Sequence, residues 1–123
     1  MAVQKVVFIV THGKEAKDRL ATPLHLAALA TMLDADVKMI YTMAAGLLLK
    51  KGIPEKLLPL GKEIPYLETL RETKEAGVKI YLCSPVLEMY NLKRDDFIDE
   101  VDDIVGGMYS ITESLDADVT FTF

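Results

Sequence analysis

The sequence predicts an α/β fold built on a mostly parallel sheet, and three observations carry that expectation. Short runs of apolar, β-branched residues recur along the chain (KVVFIVT, VKMIYTM, VKIYL), as strands buried on both faces require. Stretches of good helix formers separate them, the clearest being LHLAALATML and YLETLRETKEA. Strands joined through helices cannot close as hairpins, so they lie parallel with helices packed on both faces of the sheet.

The first strand spans Lys5–Thr11 and ends in His12-Gly13, a polar residue followed by a turn-former. The charged Lys14–Leu20 stretch reads as loop or as an approach to a helix. Thr22-Pro23 places a capping hydroxyl before a proline, which predicts a helix over Leu24–Leu33. Only His25 and Thr31 are polar in that helix, so it is expected to be buried on more than one side, in a core or a subunit interface. Asp34-Ala35-Asp36 turns the chain into the second strand, Val37–Met43. Ala44–Lys50 follows as a short helix or apolar loop, and Gly52-Ile53-Pro54 breaks it. Prolines at 54, 59 and 65 predict an irregular connection over Glu55–Glu63. Tyr66–Ala76 is an amphipathic helix with Gly77 at its C-terminal end.

Val78–Leu82 is the third strand, and Cys83, the one cysteine of the chain, sits where it ends. Ser84 is suited to cap a helix and Pro85 to its first position, so a short helix over Val86–Tyr90 is expected. Beyond it, Lys93–Glu100 reads as another short helix and Val101–Val105 as a short strand or turn. Gly106-Gly107 is a break before a helix over Met108–Leu115. Asp116-Ala117-Asp118 repeats the earlier helix-to-strand turn, and Val119–Phe123 closes the chain as an alternating strand.

Composition bounds the function. The chain of 123 residues suits one domain, 1–123, with its own core. Fourteen Lys and Arg stand against 19 Asp and Glu, for a net charge of −5, and no basic cluster exceeds two residues. A surface that tracks nucleic-acid phosphates is therefore not expected. A lone cysteine excludes an internal disulfide, and paired cysteines at metal-ligand spacing are absent, so no metal is expected. The longest wholly apolar run, Met43–Leu49, is far shorter than a membrane span, and Val6–Val10 is too short for a signal-peptide core. A soluble, cytoplasmic protein is expected, with no membrane partner.

The candidate chemistry gathers at one edge. In open parallel sheets, ligands and reactive groups collect where strands end and helices begin. The Cys83 thiol belongs to that edge, and a following helix N-terminus favours thiolate over thiol. The bland alternative is a small buried hydrophobe that ends a core strand. His12, past the first strand, is placed to pair with a thiolate or shuttle a proton, or is simply a solvated loop residue. Gly13 matches neither nucleotide-binding glycine motif. Met43 belongs to the same edge, although Met39, Met43, Met89 and Met108 are most simply core filler. Ser84 lacks a nucleophile-elbow context, so capping is its expected role. The acidic pairs from Asp95 to Asp103 lack calcium-loop spacing and read as a solvated face.

Four segments together resemble the DsrE/DsrF-like family. They are the Ile-Tyr-Leu-Cys strand end, LEMYNLKRDDFIDEVDDIVGG after it, the closing DADVTFTF, and TMAAGLLLKKG after the second strand. The resemblance spans nearly the whole chain. It implies a three-layer α/β/α fold, a five-stranded sheet in the order 4-3-2-1-5, and assembly as a homotrimer or homohexamer. It also implies that the cysteine ending the third strand carries sulfur as a persulfide or thiosulfonate. On that reading Cys83 is the sulfur-accepting nucleophile and His12 its candidate partner. Gly13, Met43 and Ser84 line the site, no cofactor is needed, and the partners are a sulfur-donor and a sulfur-acceptor protein. A single cysteine suits a relay, since the partner's thiol resolves the intermediate. The competing expectation is a non-catalytic oligomeric module, either binding a small molecule at the same edge or serving assembly.

Overall fold

The structure is a computed structural model and describes residues 3–123. Five strands pair in the order β4-β3-β2-β1-β5. They are β1 (Lys5–Val10), β2 (Asp36–Tyr41), β3 (Lys79–Cys83), β4 (Asp103–Val105) and β5 (Val119–Thr122). All four pairings are parallel, so the expected α/β class and strand order both hold. The helices are α1 (Ala21–Met32), α2 (Tyr66–Glu75), α3 (Pro85–Met89) and α4 (Gly107–Asp116).

Successive strand residues point to opposite faces, and both faces of the central strands are covered, whereas β5 at the edge is exposed. Phe8, Val10, Met39, Tyr41, Ile80 and Leu82 pack on one side against Leu24 and Ala27 of α1 and Leu67 and Leu70 of α2. Val7, Ile40 and Val105, with Ile9 and Tyr81, pack on the other against Tyr109 and Ala117, at the two ends of α4. Two buried faces are why β1 reads as a continuous apolar run rather than an alternating one.

The helix ends follow their local chemistry. Gly77 has φ +113 just past α2, a conformation open to glycine. Its N–H donates to Lys74 O at 2.9 Å and the Val78 N–H to Thr73 O at 3.4 Å, the paired bonds that close a helix on a left-handed residue. Asp34 does the same after α1 with φ +62. Thr22 does not act as a cap: α1 already begins at Ala21, and no side chain caps it. Pro23 still falls in the first turn, where its missing N–H has no partner to lose.

Other expectations are corrected. Lys93–Glu100 is not a helix; only a 3-10 turn forms, at Arg94–Asp96. Phe97 and Ile98 are both buried, and the Ile98 N–H donates to Leu49 O at 2.9 Å. Burying two adjacent apolar side chains needs extended backbone, and that gain exceeds the weak helix propensity of the charged run. For Ala44–Lys50 the short-helix alternative holds, as a 3-10 helix over Met43–Leu49 with Ala45, Gly46, Leu48 and Leu49 buried. The acidic run is more than a solvated face. The Glu100 carboxylate pairs with Arg71 at 2.7 Å, and Asp102 accepts from Lys74 at 2.6 Å and from the Ile80 N–H at 2.7 Å. Of the four methionines assigned to the core, Met39 is buried, whereas Met43, Met89 and Met108 are exposed. Among the described residues no helix is long and apolar enough to cross a membrane.

Candidate functional site

The strand register aligns one row of residues across the carboxyl edge of the sheet. Val10 pairs with Tyr41 and Tyr41 with Leu82, so the next positions set Thr11, Thr42 and Cys83 side by side, and Cys83 pairs with Val105. At the far side the Thr11 N–H and hydroxyl both donate to Phe123 O, at 2.6 and 2.7 Å. The residues just beyond this row are His12, Met43, Ser84 and Gly106. The five sequence-predicted positions, His12, Gly13, Met43, Cys83 and Ser84, thus share one edge, because parallel strands all end on the same side.

Sharing an edge is not the same as touching. β2 lies between β1 and β3, so His12 and Cys83 follow strands two spacings apart, roughly 10 Å. The hydrogen-bonding neighbour of His12 is the Thr11 hydroxyl, 3.4 Å from its Nδ1, and not the thiol. Between them stands Met43, which is 47% exposed and has φ +52. A left-handed, unbranched but bulky residue at a strand end is strained, and such strain gathers at functional edges. Gly13 packs close to Ala44, the residue after Met43. A Cβ there would come within 2.8 Å of Glu15 Oε2 and 3.0 Å of Ala44 O, so a larger residue would crowd the Ala44 carbonyl and displace the Glu15 side chain.

Cys83 is a free thiol and is only 6% exposed. It packs with Leu82, Val86 and their neighbours in the larger core. Ser84 does not cap the following helix. Its backbone is already helical, with φ −58 and ψ −33, and its side chain makes no capping bond. Its N–H instead donates to Val105 O at 2.7 Å, tying the end of β3 to β4. A longer helix, α4, also starts near this end of the sheet. Val105, the register partner of Cys83, lies two residues before Gly107, the first residue of α4. No side chain caps α4, so its first N–H groups are left without helical partners. The sequence offered Gly106-Gly107 only as a break; that β4 would deliver it beside Cys83 depends on strand order, which no local pattern encodes.

A groove of about 240 Å³ is lined by Lys51, Arg94, Asp95, Phe97, Ile98, Asp99, Val101 and Ile104, and includes none of the five predicted residues. Among the described residues no group of three or more His, Cys, Asp and Glu side chains converges to hold a metal ion.

Comparison with known proteins matches this geometry to a family. No curated protein matches the sequence. Among solved structures, the ychN protein from E. coli superposes with a TM-score of 0.80 at 20% identity, over 98% of this chain and all of that one. MTH1491, a protein of unknown function from Methanobacterium thermoautotrophicum, gives a TM-score of 0.64 at 16% identity, over 96% of this chain and 97% of its own. At these identities the likeness shows the fold. The DsrE/DsrF-like family profile matches residues 4–123, nearly the whole length, and the chain belongs to that family.

Proposed function

We propose that the protein is a cytoplasmic sulfur carrier in which Cys83 holds sulfane sulfur between a donor and an acceptor protein. The observation that carries the reading is the position of Cys83, the lone cysteine of a DsrE/DsrF-like chain, at the carboxyl end of β3. In the loading step the Cys83 thiolate attacks the outer sulfur of the donor's persulfide. A bond forms from Sγ to that sulfur, the donor's S–S bond breaks, and the donor thiolate leaves, with no net oxidation. An acceptor thiolate repeats the exchange in the second step, so neither a cofactor nor a second cysteine in this chain is needed. Cys83 is nearly buried, so loading requires local movement at this sheet edge. The protein acts as a homo-oligomer, a trimer or hexamer, in keeping with its exposed apolar helix faces.

A second reading, a non-catalytic assembly module, is favoured by the burial of Cys83 and by those same helix faces. Incubation with thiosulfate or polysulfide followed by intact-mass measurement separates the two. The carrier reading expects a gain of sulfur located on Cys83 and removed by a reducing thiol. A protein that stays at its unmodified mass under these conditions is not a carrier.

A further inference from the structure

We propose that the groove beside β4 binds a free α-amino acid with an apolar side chain, its carboxylate and its ammonium each held by an opposite charge of the lining. The inference does not depend on sulfur carriage, since Cys83 does not line the groove. The groove lies between Lys51 and the 94–104 segment, and its walls are fixed. The Lys51 N–H donates to Asp96 O and the Ile98 N–H to Leu49 O, both at 2.9 Å, which staples the segment to the end of the 3-10 helix Met43–Leu49. Further along, Glu100 pairs with Arg71 of α2 and Asp102 with Lys74. The nearly buried Phe97 and Ile98 and the half-buried Val101 and Ile104 give the lining its apolar surface. A volume of about 240 Å³ falls below the roughly 300–1,000 Å³ of sites for drug-sized ligands, so the occupant is smaller than those.

The charges identify the ligand class. Lys51 and Arg94 stand with Asp95 and Asp99 in the lining, so the groove offers both signs and no net charge. The acidic residues of this segment divide cleanly. Asp96 accepts from the Lys93 N–H, Glu100 pairs with Arg71, Asp102 with Lys74, and Asp103 accepts from the Ile104 N–H. Asp95 and Asp99, the two that line the groove, have no ion-pair partner among the described residues. The Arg94 guanidinium is 3.8 Å from Asp103, too long for a hydrogen bond, so its fork is free to take a carboxylate through two parallel bonds. A phosphate-bearing ligand would set its charge against Asp95 and Asp99, and a wholly apolar one would leave both signs unanswered. An added peptide strand is disfavoured too. Asp103 and Val105 face β3, and the Ile104 N–H between them is already taken by the Asp103 carboxylate at 2.8 Å, which removes the donor such a strand needs. A small zwitterion with an apolar side chain satisfies all of these features.

Calorimetric titration of the full chain with L-leucine, paired with methyl NMR of protein labelled at isoleucine and valine, tests this. Saturable binding is expected, with shifts at Ile98, Val101 and Ile104. No saturable binding, or shifts that miss these three residues, overturns the proposal. Two relatives of leucine separate the charges: 4-methylpentanoate lacks the ammonium and 3-methylbutylamine lacks the carboxylate. Each should bind about tenfold more weakly than leucine, and equal affinity for either overturns the proposal. Arg94→Gln and Asp99→Asn alter exposed side chains, so both variants should fold. Arg94→Gln should weaken leucine about tenfold and leave 3-methylbutylamine unchanged, and Asp99→Asn should weaken leucine and leave 4-methylpentanoate unchanged. Wild-type affinity for leucine in both variants also overturns it. Sulfur loading of Cys83 in the same variants should equal that of wild type, so the two sites succeed or fail separately.

Discussion

The hydroxyl oxygens of Tyr41 and Tyr66 lie 2.6 Å apart with both rings buried. Tyr41 ends β2 and Tyr66 begins α2, so this hydrogen bond joins the sheet to the helix layer above it. Burial pushes both phenols well above their ordinary range, because a phenolate there would lose its hydration. Tyr41→Phe or Tyr66→Phe alone strands the remaining hydroxyl and should cost on the order of 1–3 kcal/mol. The double Phe variant should cost clearly less than the two singles added, and denaturant titrations of all four proteins measure that coupling. Stability should also fall as pH rises above about 10, where the unfolded phenols ionise and the folded ones do not.

Cys83→Ser places a hydroxyl where the thiol is only 6% exposed. The expected outcome is a loss on the order of 1–3 kcal/mol, read as a drop of several degrees in melting temperature, together with complete loss of sulfur uptake. Uptake equal to wild type would contradict the carrier reading outright, since the chain has no other cysteine.

Asp102 links three elements. Partial burial is the largest influence on its carboxyl and pushes it up, but the Ile80 N–H and the Lys74 ammonium together outweigh that and hold it below the ordinary value. A carboxyl depressed in the folded state adds stability above its unfolded value and gives it up as pH falls through the folded one. Asp102→Asn should therefore be less stable than wild type at pH 7 by about 1 kcal/mol, with the gap closing below roughly pH 4. Urea titrations at pH 7 and pH 3 check this; an equal gap at both values would contradict the assignment.

Gly46 lies within the 3-10 helix Met43–Leu49, pressed against Val86 of α3. A Cβ at that position would meet Val86 Cγ1 at 2.5 Å and Cγ2 at 2.8 Å, and Val86 is itself buried. Gly46→Ala should cost roughly 1–3 kcal/mol by overpacking. Adding Val86→Ala should recover part of that loss, which thermal melts of the single and double variants would show.

Much of this molecule is legible in the chain. β1, β2, β3 and β5 are apolar enough, and bounded sharply enough, that their ends fall within one or two residues of the expected positions. Gly77 marks the end of α2 through a backbone conformation that few other residues accept. What stayed hidden depends on distant partners. The 97–98 pair is extended only because Leu49 and its neighbours lie alongside it. Ser84-Pro85 has the right residues for a cap, yet the Ser84 backbone is already helical and bonded to Val105. At the candidate site, Cys83, Met43 and His12 could be assigned to one edge from strand endings alone. The burial of Cys83, the strain at Met43 and the arrival of α4 beside the thiol required the strand order and the packing.

The pairing of β5 with β1 spans most of the chain: the Lys5 N–H donates to the carboxylate of Asp118, 113 positions away. During synthesis, β1, β2 and β3 can associate as soon as each emerges, but one margin of β1 stays open until the last strand leaves the ribosome. That margin runs through the β1 segment bearing Val7 and Phe8, the kind of unpaired apolar edge that recruits other chains. Closing such a long loop also comes late on entropic grounds, because nearby contacts form at lower cost. The vulnerable moment of this protein is thus the interval before residues 119–122 dock, when a nascent chain is a three- or four-stranded sheet with an adhesive side.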